Sequence, residues 1–199
     1  MLIKRCLSDD REEARYVAHE IQSILTSGGS LSEIAVFYRT NAQSRLIEDM
    51  LTQVRIPYII IGGVKFYARQ EIKDILAYIR IILNSDDEVS LKRVINVPPR
   101  GIGPTTVAKA VERARRDGVS LFRALERMTH AGETVLGAAA KNKVQQFLAM
   151  LEGLKSRRDT QDPEATLADI LNFSGYKEYL ESRSSETENV DRLENLDQL

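Results

Sequence analysis

The chain has 199 residues, with 28 Lys and Arg, 29 Asp and Glu, two His and one Cys, for a formal net charge of −1. That length can bury a sizeable core in one or two domains, and the lone Cys6 excludes an intrachain disulfide framework and fits a reducing compartment. No signal-type apolar segment opens the sequence, and no apolar run approaches the roughly 20 residues that span a bilayer, so a cytoplasmic location and no membrane partner are expected.

The near-zero total hides an asymmetry. Between Leu91 and Arg127, nine basic residues face three acids, a net of +6, whereas from Asp159 to Leu199 eleven acids face three bases, a net of −8. The basic middle suits a polyanion, and the acidic end suits water or another protein.

The segment Leu2-Ile3-Lys4-Arg5-Cys6-Leu7 reads as a short strand with Cys6 as a buried structural thiol. Ser8 and Asp9-Asp10 can cap a helix to about Ser27, whose Ala14, Val17, Ala18, Ile21, Ile24 and Leu25 recur at helical spacing. Ile34-Ala35-Val36-Phe37-Tyr38 is a continuous apolar run of the kind buried in a parallel sheet. Thr40 or Asn41 can cap the next helix, and Pro57-Tyr58-Ile59-Ile60-Ile61 reads as a further strand closed by Gly62-Gly63. These elements predict part of an α/β domain.

From Gln70 the period is helical. Ile72, Ile75, Leu76, Ile79, Ile82 and Leu83 form one face, and shorter helices are expected over about 89–96, 104–116 and from Ser120. A long pattern covers about 134–157, two short helices follow near 163–173 and 176–181, and 182–188 reads as a polar loop. A last helical pattern around Val190, Leu193 and Leu196 has barely begun when the sequence stops, as expected of a segment of a longer chain.

Three stretches carry candidate chemistry. Pro98-Pro99-Arg100-Gly101-Ile102-Gly103-Pro104-Thr105 joins two helices through glycines that let backbone amides approach an anion, with Pro104 at a favourable first-turn position. The same residues also suit an ordinary tight helix–helix turn. Arg39, Thr40 and Asn41 follow an expected strand and open a helix, where they can contact a sugar-phosphate backbone or serve as cap and solvated charge. Gly62, Gly63 and Lys65 join the α/β part to the helices and form a candidate hinge.

Other chemistry is missing. His19 and His130 have no nearby Cys or His partner, Asp86-Asp87-Glu88 reads as a cap rather than a metal loop, and no catalytic residue or metal ligand is assigned. There is no Gly-Lys-Ser/Thr loop to hold ATP phosphates.

Four motifs occur in order: Ile34-Ala35-Val36-Phe37-Tyr38-Arg39-Thr40-Asn41-Ala42-Gln43-Ser44-Arg45; Gly62-Gly63-Val64-Lys65-Phe66-Tyr67 with Glu71-Ile72-Lys73-Asp74; Pro99-Arg100-Gly101-Ile102-Gly103; and Arg192-Leu193-Glu194-Asn195-Leu196. Together they resemble a continuous piece of a bacterial superfamily-one DNA helicase of the UvrD/PcrA/Rep kind. Gln198 stands where that family often has an acid.

The resemblance implies α/β plus all-α architecture: part of a RecA-like second motor domain over 1–72, then a helical accessory domain over 73–199 with a helix-hairpin-helix-like turn. It implies that Arg39, Thr40 and Asn41 touch single-stranded DNA, that Arg100, Gly101, Ile102, Gly103 and Thr105 touch the duplex backbone, and that Gly62, Gly63 and Lys65 lie at a hinge. The parent would be an ATP-dependent 3′-to-5′ helicase of replication or repair, associated with the bacterial nucleoid and using ATP and Mg2+. This chain alone is expected to hold no cofactor and to bind DNA without ATPase or unwinding activity. Its expected partners are single-stranded DNA, duplex backbone, the remaining motor domains, and repair or replication proteins. An alternative is a protein-interaction or regulatory accessory module without DNA binding of its own.

Overall fold

A computed structural model describes residues 3–40, 43–61, 63–158, 162–183 and 186–199, with the side chains of 183–191 outside that description. The chain divides into two compact units, Met1–Ile72 with Val190–Leu199, and Lys73–Asn189. The last ten residues therefore group with the first unit.

In the first unit, α1 (Asp10–Thr26) starts where the Asp9 carboxylate accepts the Glu12 amide at 2.7 Å. Ser8 closes the cap by donating through both its amide and its hydroxyl to Glu12, which holds that carboxyl below its usual range. Ala18 and Ile21 of α1 pack with Leu51 of α2 (Ser44–Gln53) and with Ile56. The structure starts α2 later than the sequence reading did. The Gln43 side chain reaches back to accept the amides of Arg39 and Thr40 at 2.8 and 3.2 Å, while Asn41 lies outside the described residues.

The expected strands do not form: among the described residues there is no β-ladder. A strand is stable only when a neighbour takes its alternate amides and carbonyls, and residues 34–38 and 57–61 have no such neighbour. Phe37, Ile59 and Ile61 are 93%, 83% and 90% exposed. Cys6 is exposed as well, contrary to its reading as a buried thiol, because the segment around it has no sheet to cover it.

The first unit is held by a buried polar network. Glu48 accepts from the Ser44 hydroxyl at 2.8 Å, the Tyr58 phenol at 3.0 Å and the Phe66 amide at 3.2 Å. Arg69 donates to Ser44 Oγ at 2.7 Å and to Asn195 Oδ1 at 2.6 Å, and Asn195 donates onward to Glu71 at 2.7 Å. This chain of bonds ties the last helix, α10 (Glu186–Asp197), to the first unit. Part of the expected 182–188 loop is thus helical, since α9 (Tyr176–Arg183) and α10 occupy its two ends.

The second unit is helical throughout its regular elements. Its helices are the later part of α3 (Gln70–Leu83), then α4 (Glu88–Val94), α5 (Pro104–Asp117), α6 (Leu121–Thr129), α7 (Ala138–Arg158), α8 (Pro163–Phe173) and α9. Asp87, Ser120 and Asp162 cap α4, α6 and α8 with their side chains. α6 packs between α5 and α7, and α8 packs on α7. The core includes Ile75, Tyr78, Leu91, Leu125, Met128, Phe147, Leu151 and Ile170. No helix among the described residues is long and apolar enough to cross a membrane.

Candidate nucleic-acid interface

The turn between α4 and α5 is built from inside the second unit. Asn96 Oδ1 accepts the amides of Arg100 at 2.8 Å and Ile102 at 3.2 Å, which folds the chain back on itself. Gly101 sits at φ +69°, a left-handed conformation that disfavours a side chain. Ile102 is 2% exposed. Its burial contributes about 2 kcal/mol and plugs the turn onto the core.

Arg100 also faces inward, against the reading that gave it a phosphate. Its guanidinium donates to the carbonyls of Val94 at 3.0 Å, Pro98 at 3.1 Å and Ser174 at 2.8 Å, and to Tyr78 Oη at 2.6 Å. It also lies 5.3 Å from the centre of the Phe147 ring. Tyr78 passes the chain on by donating to Val97 O at 2.5 Å. Burial drives the Tyr78 phenol up to about 12, with the Arg100 charge opposing that rise. The side chains of Arg100, half-buried, and Ile102, buried, therefore shape the turn from inside.

What the turn does present is backbone. Among the described residues, the amides of Gly101, Gly103 and Thr105 have no intrachain acceptor, while those of Thr106 and Val107 bond to Gly103 O. Gly101 and Thr105 are exposed and Gly103 is half-buried. Gly103 is the N-cap of α5 and Pro104 follows at the first position, so the positive end of a 14-residue helix opens beside these amides.

The basic run around the turn is largely paired. Lys92 meets Glu88, Arg93 meets Asp74, and Arg113, Arg116 and Arg127 converge on Asp117, with Arg113 also reaching Glu133. Arg123 meets Glu126, and Lys109 donates to Val135 O at 3.1 Å. The local field is thus weaker than the run's count suggests. One cation absent from that run lies at the turn: Lys143 of α7, whose side chain runs along Gly101.

In the first unit, Arg39 and Thr40 line a cleft of about 690 Å³. Asp10, Glu13, Glu194 and Asp197 line it too, so carboxylates offset Arg39. Of the expected hinge residues, Gly62 lies outside the described residues and Gly63 is an exposed bend. Lys65 caps a short 3-10 helix, Phe66–Ala68, with its ammonium 4.6 Å from the centre of the Tyr58 ring. Phe66 is fully buried beneath the guanidinium groups of Arg45 and Arg69.

No group of three or more His, Cys, Asp or Glu among the described residues is placed to hold a metal ion.

A helical unit with an open, glycine-bearing helix N-terminus, preceded by the ordered motifs of the first unit, is matched by a family. The UvrD-like helicase C-terminal domain matches residues 3–134, and the chain belongs to that family. Among curated relatives, the ATP-dependent DNA helicase PcrA of Staphylococcus epidermidis (strain RP62A) is 41% identical over 189 residues, covering 95% of this chain and 25% of the relative. The ATP-dependent DNA helicase PcrA of Staphylococcus aureus (strain Mu50) is 39% identical over the same length and with the same coverage. The chain spans about a quarter of the length of these relatives.

Proposed function

We propose that this chain is the part of an ATP-dependent DNA helicase that holds duplex DNA by its sugar-phosphate backbone, without reading sequence. The observation that carries the reading is the set of unpaired amides at Gly101, Gly103 and Thr105, at the start of α5. Such amides donate to a phosphate oxygen without competing for a base edge. In this reading α4, the turn and α5 act as a helix-hairpin-helix-like grip. Arg100 and Ile102 support it from within, in place of the direct contacts first assigned to them.

Residues 1–72 are read as part of a RecA-like segment whose apolar runs await strands from the rest of a longer protein. Phe37, Ile59 and Ile61, all exposed, support that reading. Arg39 and Thr40 are then placed at a single-strand contact, supported by the exposure of Arg39 and opposed by the acids of the cleft. ATP hydrolysis and unwinding belong to the larger protein.

Gly103→Asp separates binding from folding. Gly103 has ordinary negative φ, and a Cβ there meets no atom within 4 Å. Asp is a favoured N-cap residue, so the variant should match or exceed the parent chain in thermal midpoint. Its carboxylate would occupy the phosphate position. Duplex affinity, measured by fluorescence anisotropy at low salt, is expected to fall by about tenfold or more. Equal affinity would remove the turn from the interface.

A further inference from the structure

Resting on the duplex-binding reading above, we infer that Lys143 of α7 is a phosphate ligand of the Gly101 turn, contributed by a helix distant in sequence from the turn itself. Its side chain lies along the glycine: a Cβ at Gly101 would stand 3.1 Å from Lys143 Cε and 3.3 Å from Cδ, and would collide with Nζ. Gly101 is thus needed twice, once for its left-handed backbone and once to leave a channel for this lysine.

The ammonium is also uncommitted. Lys143 is exposed, and among the described residues it has neither a carboxylate nor a carbonyl partner. Its neighbours contrast with it. Lys141, two residues earlier, donates to His130 O at 2.7 Å, and Lys109 on α5 donates to Val135 O at 3.1 Å. The arginine within the turn is consumed by three carbonyls and a phenol. Among the described residues, the uncommitted cation beside the free amide of Gly101 therefore comes from α7. A lysine ammonium is a compact point charge on a flexible stem, suited to a phosphate whose exact position varies along a duplex. An amide-only grip has little dependence on counterion release, whereas an ammonium at the same phosphate adds it.

The test compares the 199-residue chain with Lys143→Ala, Lys143→Arg and Gly103→Asp on a short duplex over a salt series, with thermal midpoints recorded for all four. Lys143→Ala is expected to bind about five- to tenfold more weakly at low salt and to flatten the slope of log K against log salt by about 0.9, one phosphate's worth. Lys143→Arg should retain the slope, and neither change should move the midpoint, because the side chain is exposed. If Lys143→Ala keeps the affinity and slope while Gly103→Asp loses binding, the turn holds DNA without Lys143 and this inference alone is overturned. If the parent chain does not bind the duplex, both readings fall together.

Discussion

Arg100 shows how a residue type suited to phosphate can be committed elsewhere. Its guanidinium closes a loop of acceptors drawn from residues 78, 94, 98 and 174, and the phenol among them keeps its proton to donate to Val97. The Tyr78 pKa rises from 10.0 to about 12 on folding. A group that holds its proton more tightly when folded contributes stability fully below its unfolded pKa and loses it as pH rises toward the folded value. Stability should therefore decline between pH 10.0 and about 12 by more than other groups account for, and Tyr78→Phe should lessen that decline. Urea midpoints across that window check it; identical pH slopes for the two chains would contradict it. None of this was legible from the Pro-Arg-Gly-Ile-Gly string, because the acceptors meet only after α3, α4 and α8 pack. Lys143 was hidden for a related reason. It flanks the buried Val144 and Phe147 in an ordinary amphipathic pattern, and nothing in sequence ties it to a glycine on another helix.

At the scale of elements, the helices were legible where a cap and a period agreed. Asp9, Asp87, Ser120 and Asp162 each cap the helix that follows, and Pro104 and Pro163 stand at first positions. The long pattern expected from about residue 134 begins instead at Ala138, where Lys141 N bonds to Gly137 O. The strands were misjudged because β-structure is a pairwise property: residues 34–38 and 57–61 have the composition of strands without partners to complete them. Polar residues of the first unit gave no sign of their burial. Glu48, Arg69 and Asn195 form the buried network of the first unit. Asn195→Ala removes an acceptor from Arg69 and a donor to Glu71, leaving two charged groups short of a partner. The expected cost is about 2–3 kcal/mol, read from urea unfolding followed by hydrogen exchange at α2 amides. A change within about 0.5 kcal/mol would show the network to be dispensable.

At the scale of the whole chain, the two units differ in what holds them and in what they expose. The second has a dense helical core and exposes unpaired backbone donors with a nearby uncommitted ammonium. The first has its interior tied by polar bonds and leaves large apolar side chains in water. Membership of the UvrD-like helicase C-terminal domain family fits that division, since the chain spans a quarter of its relatives. The ordered motifs made the family legible, while the geometry turned Arg100 onto carbonyls and left the Gly101, Gly103 and Thr105 amides without an intrachain acceptor among the described residues. Titration of the isotopically labelled chain with a short duplex, followed by amide NMR, tests this most directly. The Gly101, Gly103 and Thr105 amides are expected to shift most, with shifts that diminish as salt is added. Strong binding that leaves these three amides unmoved, with its shifts confined to the first unit, would contradict it.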